Sequence, residues 1–446
     1  MSSGTAPQPA VRRRRPVPGT PVRIGLLGCG TVGQGLVRTI AEQQATIARA
    51  SGHPVHIGPI LVRDLSRSRP GVDPSLLTTD PDRVLGDPDL DVLVEVMGGL
   101  DPTLGLLRRA LEAGVPVVTA NKQLIARHGP ELLALAASTG SELRFEASAC
   151  AAIPVIKVLR ESLLAAEIRG VTGIVNGTTN YILTEMSRGG LDYDTALRQA
   201  QELGYAEADP SEDVGGADAA AKMAILSSIA FHTRVHFDDV PHEGIDGLQR
   251  EDLETARDLG FVVKLLGVAR LEDGAISVRV HPALVPYRHR LAAVGGPDNA
   301  VLLESDTVRE IMLVGPGAGG VETASAVLAD VMSILGTGEG SFLHNALVDA
   351  GRPLMPAGEV TSAFYVRLKV QDRPGVLARV ASIVAEEGLS IRSVIQRGEG
   401  DRARLVLVTH RGREARMQAA LARIAALDDM RDAPVVLRVI GSGEGD

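Results

Sequence analysis

The sequence predicts an α/β chain in three parts: a parallel-sheet domain covered by helices, an α+β domain, and a small βαββαβ module. Three observations predict it. Strand-length apolar runs alternate with helical patterns from Val22 to about residue 148, and helical patterns dominate beyond it. A strand–helix–strand–strand–helix–strand cadence then runs from Ser362 to Ile440. The 446 residues leave room for two or three domains.

Residues 1–20 read as a disordered leader, Pro-rich and carrying the basic run Arg12 to Arg15. Val22 to Gly28 is an apolar strand ending in a glycine turn, and a helical pattern follows from Thr31 to about Ala50. Further strands are expected at His56 to Val62, Val92 to Met97 and Val115 to Thr119, with helices at Leu104 to Ala113 and Gln123 to Ser138. Strands alternating with helices imply a parallel sheet.

The second domain, 149–320, is expected to carry helices at Ile153 to Ala165, Asp194 to Leu203 and Ala217 to His232. Strands are read at Ile168 to Val175, Ser277 to Leu284 and Val308 to Val314. The glycine stretch Gly315 to Gly320 would let the amphipathic Thr323 to Leu335 return to the first domain, which then comprises 21–148 with about 321–345. Residues 346–361, Pro/Gly-rich from Gly351 to Gly358, read as a linker before the last module at 362–446.

Composition excludes several classes. A formal charge of -9 argues against a nucleic-acid partner. No apolar run is long enough to cross a bilayer, and the leader lacks a secretory apolar stretch. Cys29 and Cys150, the only cysteines, suggest no disulfide framework. A cytoplasmic protein with aliphatic cores is expected, since aromatics make up 2 % and Trp is absent.

Gly28-Cys29-Gly30-Thr31-Val32-Gly33 matches G-x-G-x-x-G between a strand and a helix. The first glycine permits the turn, the second lets backbone approach a pyrophosphate, and the third packs helix on strand. The first domain is therefore Rossmann-like, with the pyrophosphate at the helix N-terminus. Arg63, Arg67 and Arg69 follow the second strand and suit a 2′-phosphate, so NADP is favoured; Asp64 keeps NAD open. Lys122 follows the fourth strand, beyond which ligands of such sheets sit.

Asp218 and Lys222 are four apart on an apolar helix and share a face. A buried pair with no ligand costs more than it returns, so a site is expected here. The polar turn Asn176 to Tyr181 and the turn holding Glu207 lie nearby in sequence. Two carboxylates could hold a substrate ammonium while Lys222 protonates the oxygen formed on hydride transfer to an aldehyde.

Together these motifs resemble homoserine dehydrogenase of the monofunctional type with a C-terminal ACT domain. Also carrying the likeness are Glu95 to Gly99, Thr119 to Lys122, Phe145 to Ala147, Leu203 to Pro210 and Thr323 to Val327. The resemblance implies NADP- or NAD-dependent interconversion of L-homoserine and L-aspartate 4-semialdehyde, toward threonine and methionine. It implies catalysis by Lys222 with Lys122, and substrate contacts from Gly177, Thr178, Tyr205, Glu207 and Asp218. Cofactor contacts are implied at Gly28, Gly30, Thr31, Val32, Gly33, Arg63, Met97, Gly98, Lys122 and Gly319. A monovalent cation, sodium or potassium, is implied at Glu146 with main-chain oxygens of Ala149, Ala151 and Ile153. There the chain departs from the family's Gly-Gly-Ile-Pro, having Ala151-Ala152-Ile153-Pro154; alanine disfavours positive φ, which bears on the local carbonyl geometry and so on the cation site. Glu322, where many relatives carry proline, is expected to matter little.

In the last module Asp372, Pro374, Gly375, Val376 and Leu377 resemble the ACT ligand loop, with Val394 and Ile395 on a strand that would complete the site across an interface. L-threonine as feedback inhibitor and a homodimer or homotetramer are implied by the same resemblance; a dimerisation module that binds nothing is the other reading. Two rival functions stand beside it: a semialdehyde dehydrogenase using Cys150 as nucleophile, and a catalytically inactive amino-acid sensor.

Overall fold

The computed structural model describes residues 17, 19–272, 274–336, 357–359, 361–397 and 403–439. The basic run of the leader and nearly all of the expected linker lie outside them. The described residues form two compact units, divided after residue 346.

The first unit opens with β1 (Val22–Leu27), buried on both faces apart from Arg23, as its otherwise apolar run suggests. Then come α1 (Thr31–Glu42), α2 (Gln44–Ser51), β2 (Val55–Leu61), β3 (Leu77–Thr78), α3 (Pro81–Leu85) and β4 (Val92–Glu95). α4 (Thr103–Glu112), β5 (Val117–Thr119), α5 (Lys122–Thr139) and β6 (Leu143–Arg144) complete a six-stranded sheet of order β3-β2-β1-β4-β5-β6. Every pairing in it is parallel. The order reverses between β1 and β4, which is where such sheets open a ligand crevice. The single helix expected to Ala50 is broken at Gln43 instead.

The following segment differs from the expected helix over Ile153 to Ala165. Only α6 (Val155–Lys157) is regular, and it widens into a π turn through Ser162. Next are β7 (Ile168–Ile174), α7 (Gly177–Thr184), α8 (Tyr193–Glu202), α9 (Ser211–Val214), α10 (Ala217–Ala230) and α11 (Arg250–Asp258). The strands β8 (Phe261–Glu272), β9 (Ala275–Pro286), β10 (Asp298–Ser305) and β11 (Arg309–Pro316) join β7 in an antiparallel sheet of order β11-β10-β7-β8-β9. β8 and β10 carry no clean two-residue alternation because both faces of each are largely covered, so they escape a reading by period.

α10 lies on this sheet and is buried nearly all round. Its close approach depends on Gly267 of β8: a Cβ there would fall 2.3 Å from Met223 Cγ. α12 (Gly320–Leu335) then packs on the first sheet's helical layer through Ala324, Val327 and Val331. Ala324 Cβ and the Gly320 carbonyl lie against Gly35 of α1.

The second unit contains β12 (Thr361–Val370), α13 (Val376–Glu386), β13 (Ile391–Arg397), β14 (Ala403–Thr409), β15 (Gly412–Arg413), α14 (Glu414–Ala425) and β16 (Val435–Val439). β13-β14-β12 pair in that order and β16 pairs the other edge of β12, all antiparallel. This is the expected split βαββαβ module, cored by Phe364, Leu368, Val380 and Leu407.

Candidate active site

Gly28 ends β1 at φ +99°, and a Cβ on it would fall 2.8 Å from the Met97 main chain. Only glycine lets this turn meet the end of β4 so closely. Gly30 caps α1 with nothing within 4 Å of where its Cβ would be, which leaves the helix N-terminus open. A cleft of about 830 Å³ runs from this loop to the exposed Arg63 and Arg67 and the half-buried Arg69. Arg69 Nε donates to the Cys29 carbonyl at 3.2 Å, tying it to the loop. Asp64 is already engaged: its carboxylate accepts from the Ser66 hydroxyl at 2.7 Å and amide at 2.8 Å, which hold its pKa below the ordinary value.

Glu95, fully buried at the end of β4, fixes the far wall. Its Oε1 accepts from the Met97 and Gly98 amides at 2.8 and 2.9 Å, and Oε2 accepts from Thr119 Oγ1 at 2.5 Å. Burial pushes its pKa up despite these bonds. Asn121 caps α5 by accepting from the Leu124 amide at 3.1 Å and donates to the Gly99 carbonyl at 2.6 Å. The 97–99 turn and the first turn of α5 are thereby locked together, and Lys122 faces a second cleft.

That cleft is about 940 Å³ and shares Val96, Met97 and Gly98 with the first. Asp218, 3 % exposed, sits between two ammonium groups: Lys122 Nζ is 2.6 Å from Oδ1 and Lys222 Nζ is 2.8 Å from Oδ2. Asn176 Nδ2 also donates to Oδ2, at 2.9 Å. Burial alone would raise the Asp218 pKa, but Lys222 and Lys122 hold it well below the usual carboxylate range. Burial draws Lys122 down, yet the charges of Asp218, Glu212 and Asp213 outweigh it and leave its pKa raised. Lys222 Nζ donates to the Val175 carbonyl at 2.7 Å, which aims its side chain.

Glu207, Tyr205, Gly177, Thr178, Val32 and Gly319 line the same cleft, Glu207 from an exposed rim. Thr31 and Gly33 line neither cleft. Gly33 instead supports the turn, since a Cβ on it would fall 2.5 Å from the Gly28 carbonyl. The segment from Asn176 is no turn: Asn176 Oδ1 accepts from the Thr179 amide at 2.8 Å and starts α7. Asp218, expected to contact the substrate, lines this cleft too, with both its oxygens bonded to lysines and Asn176. Asp213, which sequence reasoning passed over, stands beside it, bonded by Asn176 Nδ2 at 2.7 Å. Burial and then the Asp218 charge push its pKa up. Its only signal was an acid one turn before the Asp218 helix.

Glu146 is 5 % exposed, and its carboxylate accepts from the Ile156 and Lys157 amides at 2.8 and 2.7 Å. Burial raises it to about 7, with the nearby charge of Asp330 adding to the rise. Glu146 lines a cavity with Asp330, whereas Ala149 and Ala151 line the second cleft and Ile153 lines neither. Ala151 adopts a left-handed φ of +44°, a conformation that alanine disfavours. Cys150 is fully buried, and burial pushes its thiol up to about 11, which withholds the thiolate a nucleophile needs.

In the second unit Gly375 caps α13 at φ +89°, with Asp372, Pro374 and Leu377 exposed and Val376 buried. Gln396 Nε2 donates to Asp372 at 3.1 Å, joining this loop to β13. Val394 and Ile395 are exposed on β13, the sheet's edge strand.

Three family models match: homoserine dehydrogenase over residues 154–332, the homoserine dehydrogenase NAD-binding domain over 28–146, and the ACT domain over 364–429. Homoserine dehydrogenase of Corynebacterium glutamicum is 42% identical, across 95% of this chain and 96% of its own. That of Bacillus subtilis is 38% identical, across 95% and 99%. A crystal structure of a homoserine dehydrogenase from Thiobacillus denitrificans superposes with TM-score 0.69 at 40% identity, covering 95% and 99%. A hyperthermophilic archaeal homoserine dehydrogenase mutant in complex with NADPH gives TM-score 0.60 at 29% identity, over 70% of this chain and 97% of that one. Among the described residues no helix is long and apolar enough to cross a membrane.

Proposed function

The chain belongs to the homoserine dehydrogenase family, an NAD(P)-binding oxidoreductase family, and from that premise we propose which of its residues do the work. Lys222 is the proton donor to the carbonyl oxygen of L-aspartate 4-semialdehyde and takes the proton back from L-homoserine. Lys122 assists by adding positive charge beside the same oxygen. One observation carries this reading: a single buried carboxylate, Asp218, holds both ammonium groups in a cleft continuous with the glycine loop. Asp218 therefore orients the lysines. Of the other acids lining the cleft, Glu207, Asp213 and Glu322, the first two are assigned to the substrate ammonium, and the first amides of α7, at Gly177 and Thr178, suit its carboxylate.

The residues fit a dinucleotide, because Gly28 and Gly30 leave an open helix N-terminus where a Cβ would intrude or where nothing stands. When bound, its nicotinamide supplies or accepts the hydride. NADP is the preferred form, supported by Arg63, Arg67 and Arg69 in the cleft and by Asp64 already being bonded to Ser66. Glu146 would hold a monovalent cation with main-chain oxygens of Ala149, Ala151 and Ile153. The support is one buried carboxylate whose ionisation a cation would favour. Its oxygens meet the Ile156 and Lys157 amides, and it lines a different cavity from Ala149 and Ala151, so the four donors are not gathered at one point in this structure. L-threonine binding at the ACT loop, supported by the exposed Asp372–Gly375 turn against an open edge strand, is its regulatory counterpart, and subunits would pair as a dimer or tetramer.

Lys222→Met tests the central assignment. Turnover of homoserine should fall by about 10²–10⁴ while NADPH affinity stays within error of the parent. Near-normal turnover would end it.

A further inference from the structure

Lys264 of β8 is 4 % exposed, and among the described residues no carboxylate pairs with it. Burial, with the charge of Arg188 added, lowers its pKa to about 8. An uncompensated buried cation is costly, so its retention calls for a compensating role. The hydrogen bonds say where to look. Lys264 Nζ donates to Asn180 Oδ1 at 2.8 Å and to the Val294 carbonyl at 2.5 Å. Asn180 Nδ2 donates in turn to the Asp298 carbonyl at 3.0 Å. Thr184 Oγ1 accepts from the Gly296 amide at 3.2 Å.

These bonds staple the segment 294–298 to α7. Within that segment Pro297 lines the second cleft, and its carbonyl lies hard under Gly177, where a Cβ would be only 2.4 Å away. Gly177 opens α7, whose first amides face the cleft. A strand, a helix and a loop, of which the helix and the loop reach the cleft, thus meet on one side chain. An aliphatic residue at 264 would leave Asn180 Oδ1 and the Val294 carbonyl short of a donor, and the loop would be free to shift under Gly177.

We infer that Lys264 is a positioning residue for the substrate, setting the first turn of α7 through Asn180 and the 294–298 loop. It rests on the reading that Gly177 and Thr178 receive the substrate carboxylate. It acts first on binding of the amino acid and reaches the lysines only at one remove, through Asn176, which caps α7 and donates to Asp218. The lining of the dinucleotide cleft includes no residue of the network.

The test compares Lys264→Met, the milder Thr184→Val, Thr178→Pro and a core control, Leu253→Ala, by kcat, KM for homoserine, NADPH Kd and Tm. Lys264→Met should raise KM about tenfold, Thr184→Val about threefold, with kcat changed less than about threefold and NADPH Kd unchanged. Leu253→Ala should lower Tm without moving KM. A lowered Tm with KM unchanged in Lys264→Met makes the residue merely structural and overturns the inference; if that variant fails to fold, an unchanged KM in Thr184→Val does so. Thr178→Pro, which removes the Thr178 amide within the first turn of α7, separates the two claims: unchanged KM there refutes the carboxylate reading, whereas a raised KM beside a normal Lys264→Met refutes only the role of Lys264.

Discussion

Asp218→Asn is the perturbation that separates orienting the lysines from gripping the substrate. The parent carboxylate faces Lys122 at 2.6 Å and Lys222 at 2.8 Å, with Asn176 at 2.9 Å. A charge pair near 4 Å is worth about 4 kcal/mol at an effective dielectric of about 20. Lys122 is 32% exposed, so its share is discounted for solvent screening. Against the gain stands the several kcal/mol needed to desolvate a carboxylate that is 3% exposed. Removing one member of such a buried set typically costs about 3–5 kcal/mol, a large part of a domain's stability of about 5–15 kcal/mol. The amide also turns an N–H toward donors where an oxygen stood, which loosens both ammonium groups. Steady-state assays following nicotinamide absorbance should therefore find kcat down by about 10²-fold or more, with KM for homoserine changed far less. Thermal unfolding should move down as well. A kcat within about threefold of the parent beside a KM raised about tenfold or more would mean that Asp218 grips the substrate ammonium, and the orienting argument would be refuted.

Arg63→Ala should raise KM for NADP by about tenfold, as expected of a lost charge-assisted bond, and leave NAD kinetics nearly unchanged; equal effects on both coenzymes would remove the 2′-phosphate reading. Titration of L-threonine should inhibit turnover and release heat, and Gly375→Val should abolish both, because φ +89° is closed to β-branched residues; no heat with the parent would leave the module without this ligand. Replacing sodium and potassium salts by choline chloride should lower Tm near pH 8, and Glu146→Gln should remove that dependence. Identical melting in all three salts would dismiss the cation.

The nucleotide-binding sheet and the terminal module were legible because their signals are local. Gly28 and Gly33 announce a turn whose geometry excludes other residues, and the βαββαβ cadence needs only period and punctuation. Asp218 and Lys222 were legible too, as charged residues at i and i+4 in an apolar helix. β8 and β10 were not, since strands covered on both faces lose the alternation that marks a strand. Asn176 looked like a turn residue because a helix cap and a turn use the same side-chain chemistry.

The sequence by itself determined which chemistry was available: a dinucleotide loop, two lysines and several acids, with Gly267 small enough to let a helix approach. Tertiary structure alone decided how they share out. That Asp218 serves Lys122 as well as Lys222, that Asp213 stands beside it, and that Lys264 bonds Asn180 and the Val294 carbonyl all depend on residues far apart in the chain. Spacing specifies neighbours along one helix, whereas an ion pair between α5 and α10 exists only once Met223 has seated against Gly267 and packing has brought the two helices to one cleft.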